Sequence, residues 1–184
     1  ATGALAANGS GLLVTTGPIL GPSSLLHACD LVNARDSANT AARTTRFILP
    51  QAPRVIAIGN GPAYIAAGTA GLQVINYVGA DTRGNAPTVQ ADFTALDINP
   101  GTPGIQVLEG STFTLQPVVA DDVQVRNVEL LLDGRVVRND TGFPFELGTT
   151  LPTLAANGGN ASVALQVRAT DTGGNIGRTD TVTV

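Results

Sequence analysis

The chain has 184 residues, room for one large or two small domains, and it is 43% hydrophobic but only 4% aromatic, with 22 Gly and 11 Pro. All ten of its basic residues are Arg and the net charge is −4, which excludes the clustered basic surface that nucleic-acid phosphates or an anionic membrane would need. A core of Val, Leu, Ile and Ala punctuated by many turn residues predicts an all-β chain of short strands.

The single Cys29 can form no internal disulfide. No apolar run reaches the ~18 residues of a membrane-spanning helix, so membrane insertion is not expected. The sequence starts at Ala1 and contains no Met, so it reads as a processed product or an excerpt of a longer chain.

In chain order, residues 1–87 contain an internal repeat. The stretch from Ala4 to Gly17 aligns with that from Val55 to Gly68. Each copy reads apolar strand, Asn/Gly turn, apolar strand, Gly, which is hairpin chemistry. A third strand follows in each, Leu26–Val32 in the first and Leu72–Val78 in the second, and Arg46–Pro50 reads as a fourth strand of the first copy. Antiparallel strands repeating at this period are the signature of propeller blades.

In the second copy the run Ala63-Tyr-Ile-Ala-Ala-Gly-Thr-Ala-Gly-Leu-Gln-Val-Ile-Asn76 resembles the LVIVP-type repeat of bacterial extracellular proteins. Asn76 stands where that family usually has Asp. The resemblance implies two propeller-blade-like antiparallel repeats, too few to close a ring. The open sheet edges they leave invite pairing with other chains, in a homo-assembly or filament.

A boundary is expected within residues 79–104, which Gly84, Pro87, Pro100, Gly101, Pro103 and Gly104 punctuate. Thr88 to Val184 then form a second domain. Its expected strands are a split first strand (87–89 and 93–98), then Thr112–Ala120, Arg126–Leu132, Arg135–Arg138, an edge strand Phe143–Gly148, Ala161–Ala169 and Arg178–Val184. Asp133-Gly134 is a two-residue hairpin turn. Short strands at this spacing predict an immunoglobulin-like β-sandwich. The best helical candidate, the Ala-rich stretch Asn33–Arg43, lacks sustained 3.6-residue periodicity.

The run Asp121-Asp-Val-Gln-Val-Arg-Asn-Val-Glu-Leu-Leu-Leu-Asp-Gly134, with Ala169-Thr-Asp-Thr-Gly-Gly-Asn175, resembles the bacterial Ig-like domains strung along large secreted and cell-surface proteins. Gln124 departs from the Gly usual in that family. The resemblance implies a spacer or adhesive module, extracellular or at the cell surface, whose partners are other domains of the same larger chain or neighbouring subunits.

Catalytic residues are not expected. No Gly-x-Ser-x-Gly elbow occurs, and the only His, His27, has no triad context. Gly59-Asn-Gly61 lacks the third Gly of a dinucleotide site, and adjacent Asp121 and Asp122 do not make a glycosidase pair. His27 and Cys29 are too few for zinc, so Cys29 reads as a buried core residue. Asn8, Asn139 and Asn160 head formal glycosylation sequons that fall in predicted turns.

The one candidate site is metal-binding. Two loops at the same end of a sandwich carry Asp121 and Asp122 on one, Asp171 and Asn175 on the other. Their oxygens are the ligand type calcium prefers. The competing reading is that Asp121 and Asp171 accept backbone N–H bonds and only fix the loops. Asp81 and Asp92 flank the linker into this domain and would add oxygens. The alternative function is an accessory carbohydrate-binding region of a secreted hydrolase, which would need an exposed aromatic platform.

Overall fold

The computed structural model describes residues 3–19, 25–36, 38–39, 43–79 and 81–184. Over these residues it is all-β, in several antiparallel sheets without a closed barrel. Among the described residues, helix is confined to two short 3-10 turns, Gly68–Ala70 and Thr94–Leu96. No helix there is long and apolar enough to cross a membrane. The Ala-rich candidate over 33–43 falls partly outside the described residues.

The first half of the chain folds as two meanders. β1 (Leu5–Ala7), β2 (Leu12–Pro18), β3 (His27–Asn33) and β4 (Arg43–Leu49) form a four-stranded sheet in sequence order. β5 (Val55–Ile58), β6 (Ala63–Ala66) and β7 (Leu72–Ile75) form a three-stranded one. Both hairpins of the repeat are present, and their turns need glycine-type backbone: Gly9 and Gly11 have φ of 77° and 76°, Asn60 and Gly61 of 53° and 109°. The two sheets share one core, with Val14, Cys29, Leu31 and Leu49 from the first and Ile56, Ala63 and Ile65 from the second, closed by Tyr77.

The second half is a two-layer sandwich. One layer has the order β12 (Arg135–Asp140), β11 (Val125–Leu132), β14 (Ala164–Asp171), β15 (Ile176–Arg178), with β16 (Val182–Thr183) also on β14. The opposite layer is two strand pairs: β8 (Thr88–Gln90) with β10 (Val118–Ala120), and β9 (Thr112–Leu115) with β13 (Leu147–Thr150). Leu115, Val119 and Leu147 of this layer meet Val128, Leu130, Leu165 and Val167 of the other, with Phe93 and Phe145 filling the space between. Alternation places these side chains inward, as strand periodicity requires.

Several expected strands are redrawn. Thr112–Ala120 is two strands, because Pro117 supplies no N–H to a ladder; its halves pair with different partners. Residues 93–98 contain the 3-10 turn Thr94–Leu96, started by Asp92 Oδ1 accepting from Thr94 N at 2.9 Å. The strand placed at Phe143–Gly148 begins only at Leu147, after Pro144. The Ala161–Ala169 strand runs from Ala164 to Asp171. Arg178–Val184 is split between β15 and β16.

Candidate metal centre at the junction of the two halves

The tips of both repeat hairpins rest on one end of the sandwich. That end is made by three connections: 121–124 between β10 and β11, 141–146 between β12 and β13, and 172–175 between β14 and β15. Ser10 Oγ, in the first turn, accepts from Val125 N at 3.2 Å. Asn60 N, in the second, donates to Thr141 O at 3.3 Å. Gly9 lies under the Phe143 ring, 2.9 Å from where its Cβ would be. Arg35 Nη2 donates to the Asp121 carbonyl.

Gln124 is the centre of this contact. It is fully buried, and its Nε2 donates to Gly61 O at 2.9 Å and to Tyr77 Oη at 2.7 Å. Its backbone O accepts from Thr172 N at 3.1 Å, tying two sandwich loops together. One residue thus joins the second hairpin turn, the core of the first half and two loops of the second. Burial pushes the Tyr77 phenol up to about 12, against the polar side chains of Asn8 and Gln124 at its hydroxyl. The sequence alone marked Gln124 only as a replacement for glycine.

The four candidate ligands divide into two groups. Asp171 is fully buried and pairs with Asn175: its Oδ1 accepts from Asn175 N and its Oδ2 from Asn175 Nδ2, both at 2.8 Å. These two residues close the 172–175 loop on each other. Asp121 and Asp122 instead converge with Asp81, and one carboxylate oxygen of each lies within 4.8 Å of the others. Asp92 is turned away on its own 3-10 turn.

Each carboxylate of the converging trio has one oxygen engaged. Asp81 Oδ1 accepts from Arg83 N at 2.9 Å, and Asp121 Oδ2 from Val123 N at 2.8 Å. Asp122 Oδ2 accepts from Arg83 Nη1 at 3.2 Å and Asn85 Nδ2 at 2.9 Å. The remaining oxygens, Asp81 Oδ2, Asp121 Oδ1 and Asp122 Oδ1, are buried and have no hydrogen-bond partner among the described residues.

The electrostatics follow from this packing. Burial pushes the Asp121 carboxyl up, and the negative charges of Asp171 and Asp122 add to that, against backbone hydrogen bonds at Val123 and Gln124. The Asn85 amide and Arg83 hold Asp122 low. Linker and loop fit closely here: a Cβ on Gly173 would stand 2.8 Å from Asp81 O, and one on Gly177 would stand 1.8 Å from Pro87 O.

Cys29 is fully buried and its thiol is pushed up to about 11 by burial and by neighbouring Asp30. Asn8 is also buried, its Oδ1 accepting from Ser10 N at 2.8 Å and Leu12 N at 3.0 Å; it is a turn residue with no room for a glycan. Of the rings a sugar platform would use, Tyr77, Phe93 and Phe145 are in the cores. The cleft of about 300 Å³ bordered by Val107, Leu151, Leu154, Val163 and Val184 has no aromatic lining.

A search of curated proteins finds no match to the chain. Among solved structures, the fibronectin(III)-like modules of Clostridium thermocellum CbhA align with 95% of this chain and 85% of their own, at 16% identity and a TM-score of 0.39. The family model described as a bacterial Ig domain matches residues 97–164, within the sandwich half.

Proposed function

We propose that the chain is a non-catalytic structural segment of a large bacterial extracellular protein, a stiff spacer that holds a repeat region (1–87) against an Ig-like domain (88–184). The observation that carries this reading is the Gln124 lock, which fastens both parts to each other through buried hydrogen bonds. A hinge between freely moving domains would leave such a side chain to water. The match of residues 97–164 to a bacterial Ig domain supports the same reading, since such modules generally serve architecture rather than catalysis.

The repeat region supports an assembly role. On the outer face of β5–β7, Val55, Tyr64, Leu72 and Val74 are exposed on adjoining strands. A further propeller-like repeat stacking in the manner of β1–β4 would cover that apolar face. β1 and β7 also each present an edge with no strand partner among the described residues.

Residual dipolar couplings of the intact chain test the spacer reading. Both halves are expected to report one common alignment tensor. Two distinct tensors would mean independent domains and would remove the proposal.

A further inference from the structure

We propose that Asp81, Asp121 and Asp122 form a binding site for a calcium-type divalent cation that clamps the inter-domain linker to the sandwich. Three unpartnered oxygens, one from each residue, carry this inference. Asp121 and Asp81 are only 7% and 8% exposed. A carboxylate oxygen that is buried without a donor carries a desolvation cost, and two others beside it add repulsion. Proteins of this size normally satisfy nearly all such atoms. Three converging carboxylates, each with such an oxygen, call for a positive charge rather than a hydrogen-bond donor.

The local geometry prepares these oxygens. In each residue the second oxygen is already held by a backbone or side-chain N–H, so the carboxylate cannot rotate away. Arg83 neutralises only part of the charge, from the far oxygen of Asp122. The donors are hard oxygens, which select calcium or magnesium over softer metals. Three protein carboxylates suit the flexible shell of calcium, which takes six to eight oxygens and accepts water and main-chain carbonyls among them. Magnesium prefers a compact octahedron with one or two carboxylates and more water. Asp122, the most exposed of the three, marks the side open to solvent.

Asp81 belongs to the segment that leads from β7 to β8, and Asp121–Asp122 to the 121–124 loop. The ion therefore bridges the two halves beside the Gln124 lock. The inference stands on the trio alone, and its test reads melting and stoichiometry, so its failure would leave the domain orientation untouched.

The experiment is calorimetric melting of the whole chain with calcium chloride, with magnesium chloride and with a chelator, together with isothermal titration of calcium. One ion per chain is expected, and a rise in melting temperature of roughly 5–10 °C at a hundredfold excess over the dissociation constant. Asp122→Asn keeps the side-chain shape, and is expected to fold and lose most of that rise; Asp81→Asn is the second variant, read the same way. Coincident curves with calcium and chelator would overturn the site. So would a calcium response that survives in both variants, and a response to magnesium equal to that to calcium would overturn the ion assignment.

Discussion

At the scale of single residues, Gln124 and Tyr77 show how a few polar atoms organise the junction. Replacing Gln124 by Ala leaves Gly61 O and the Tyr77 hydroxyl without their shared donor in a buried place. A loss of about 1–3 kcal/mol is expected, measurable by denaturant titration. Tyr77 also makes the junction sensitive to alkali. Its folded-state value, about 12, lies above the ordinary 10.0. The unfolded chain therefore releases this proton first as pH rises. The stability it contributes is intact below pH ~10 and is lost between pH ~10 and ~12. Tyrosinate absorbance should show one of the two tyrosines titrating late in the native protein and normally in denaturant. Two equal, ordinary titrations would mean that Tyr77 is not enclosed.

At the scale of elements, strand pairing is supported by charges placed on one face. Asp30 faces Arg46 across β3–β4 and Glu129 faces Arg168 across β11–β14, each pair closing at 2.6 Å. The β11–β12 hairpin depends on its turn, where Asp133 has φ 46° and Gly134 φ 76°. Both values belong to a turn whose twist matches that of the flanking strands. The space around Gly134 is open, so a side chain there meets no neighbour. Gly134→Val should still cost about 1–3 kcal/mol, because a β-branched residue is strained at positive φ. An unchanged melting temperature would refute the turn. Asp133 has a second task, since its Oδ1 accepts from Ala164 N at 2.8 Å and aligns the start of β14.

At the scale of the whole molecule, two hydrophobic cores meet through a polar seam instead of a third core. Such a seam transmits unfolding only while its hydrogen bonds hold. The intact chain should therefore melt in a single calorimetric transition, and Gln124→Ala should separate it into two. Two transitions in the unaltered chain would show that the seam does not couple the halves. Gly173→Ala should act in the same direction, because its methyl would press on the Asp81 carbonyl and push the linker from the loop.

The features that the sequence determined by itself are those of short range. Alternating side chains along β9 and β14, glycine and asparagine in the two repeat turns, and Asp133-Gly134 each constrain the backbone within a few residues. These local rules suffice for an all-β chain with two hairpin repeats followed by a strand series. They fail where one residue changes the partner of a strand, as Pro117 does in the stretch 112–120. The junction lies beyond them altogether. Gln124 meets Gly61 and Tyr77, and Asp121 meets Asp81, across long stretches of chain. Asp171 and Asn175, which their loop's place at the same end of a sandwich made candidates with Asp121 and Asp122, turn toward each other and satisfy both Asp171 oxygens locally. Only the docking of one folded half on the other decides which carboxylates converge.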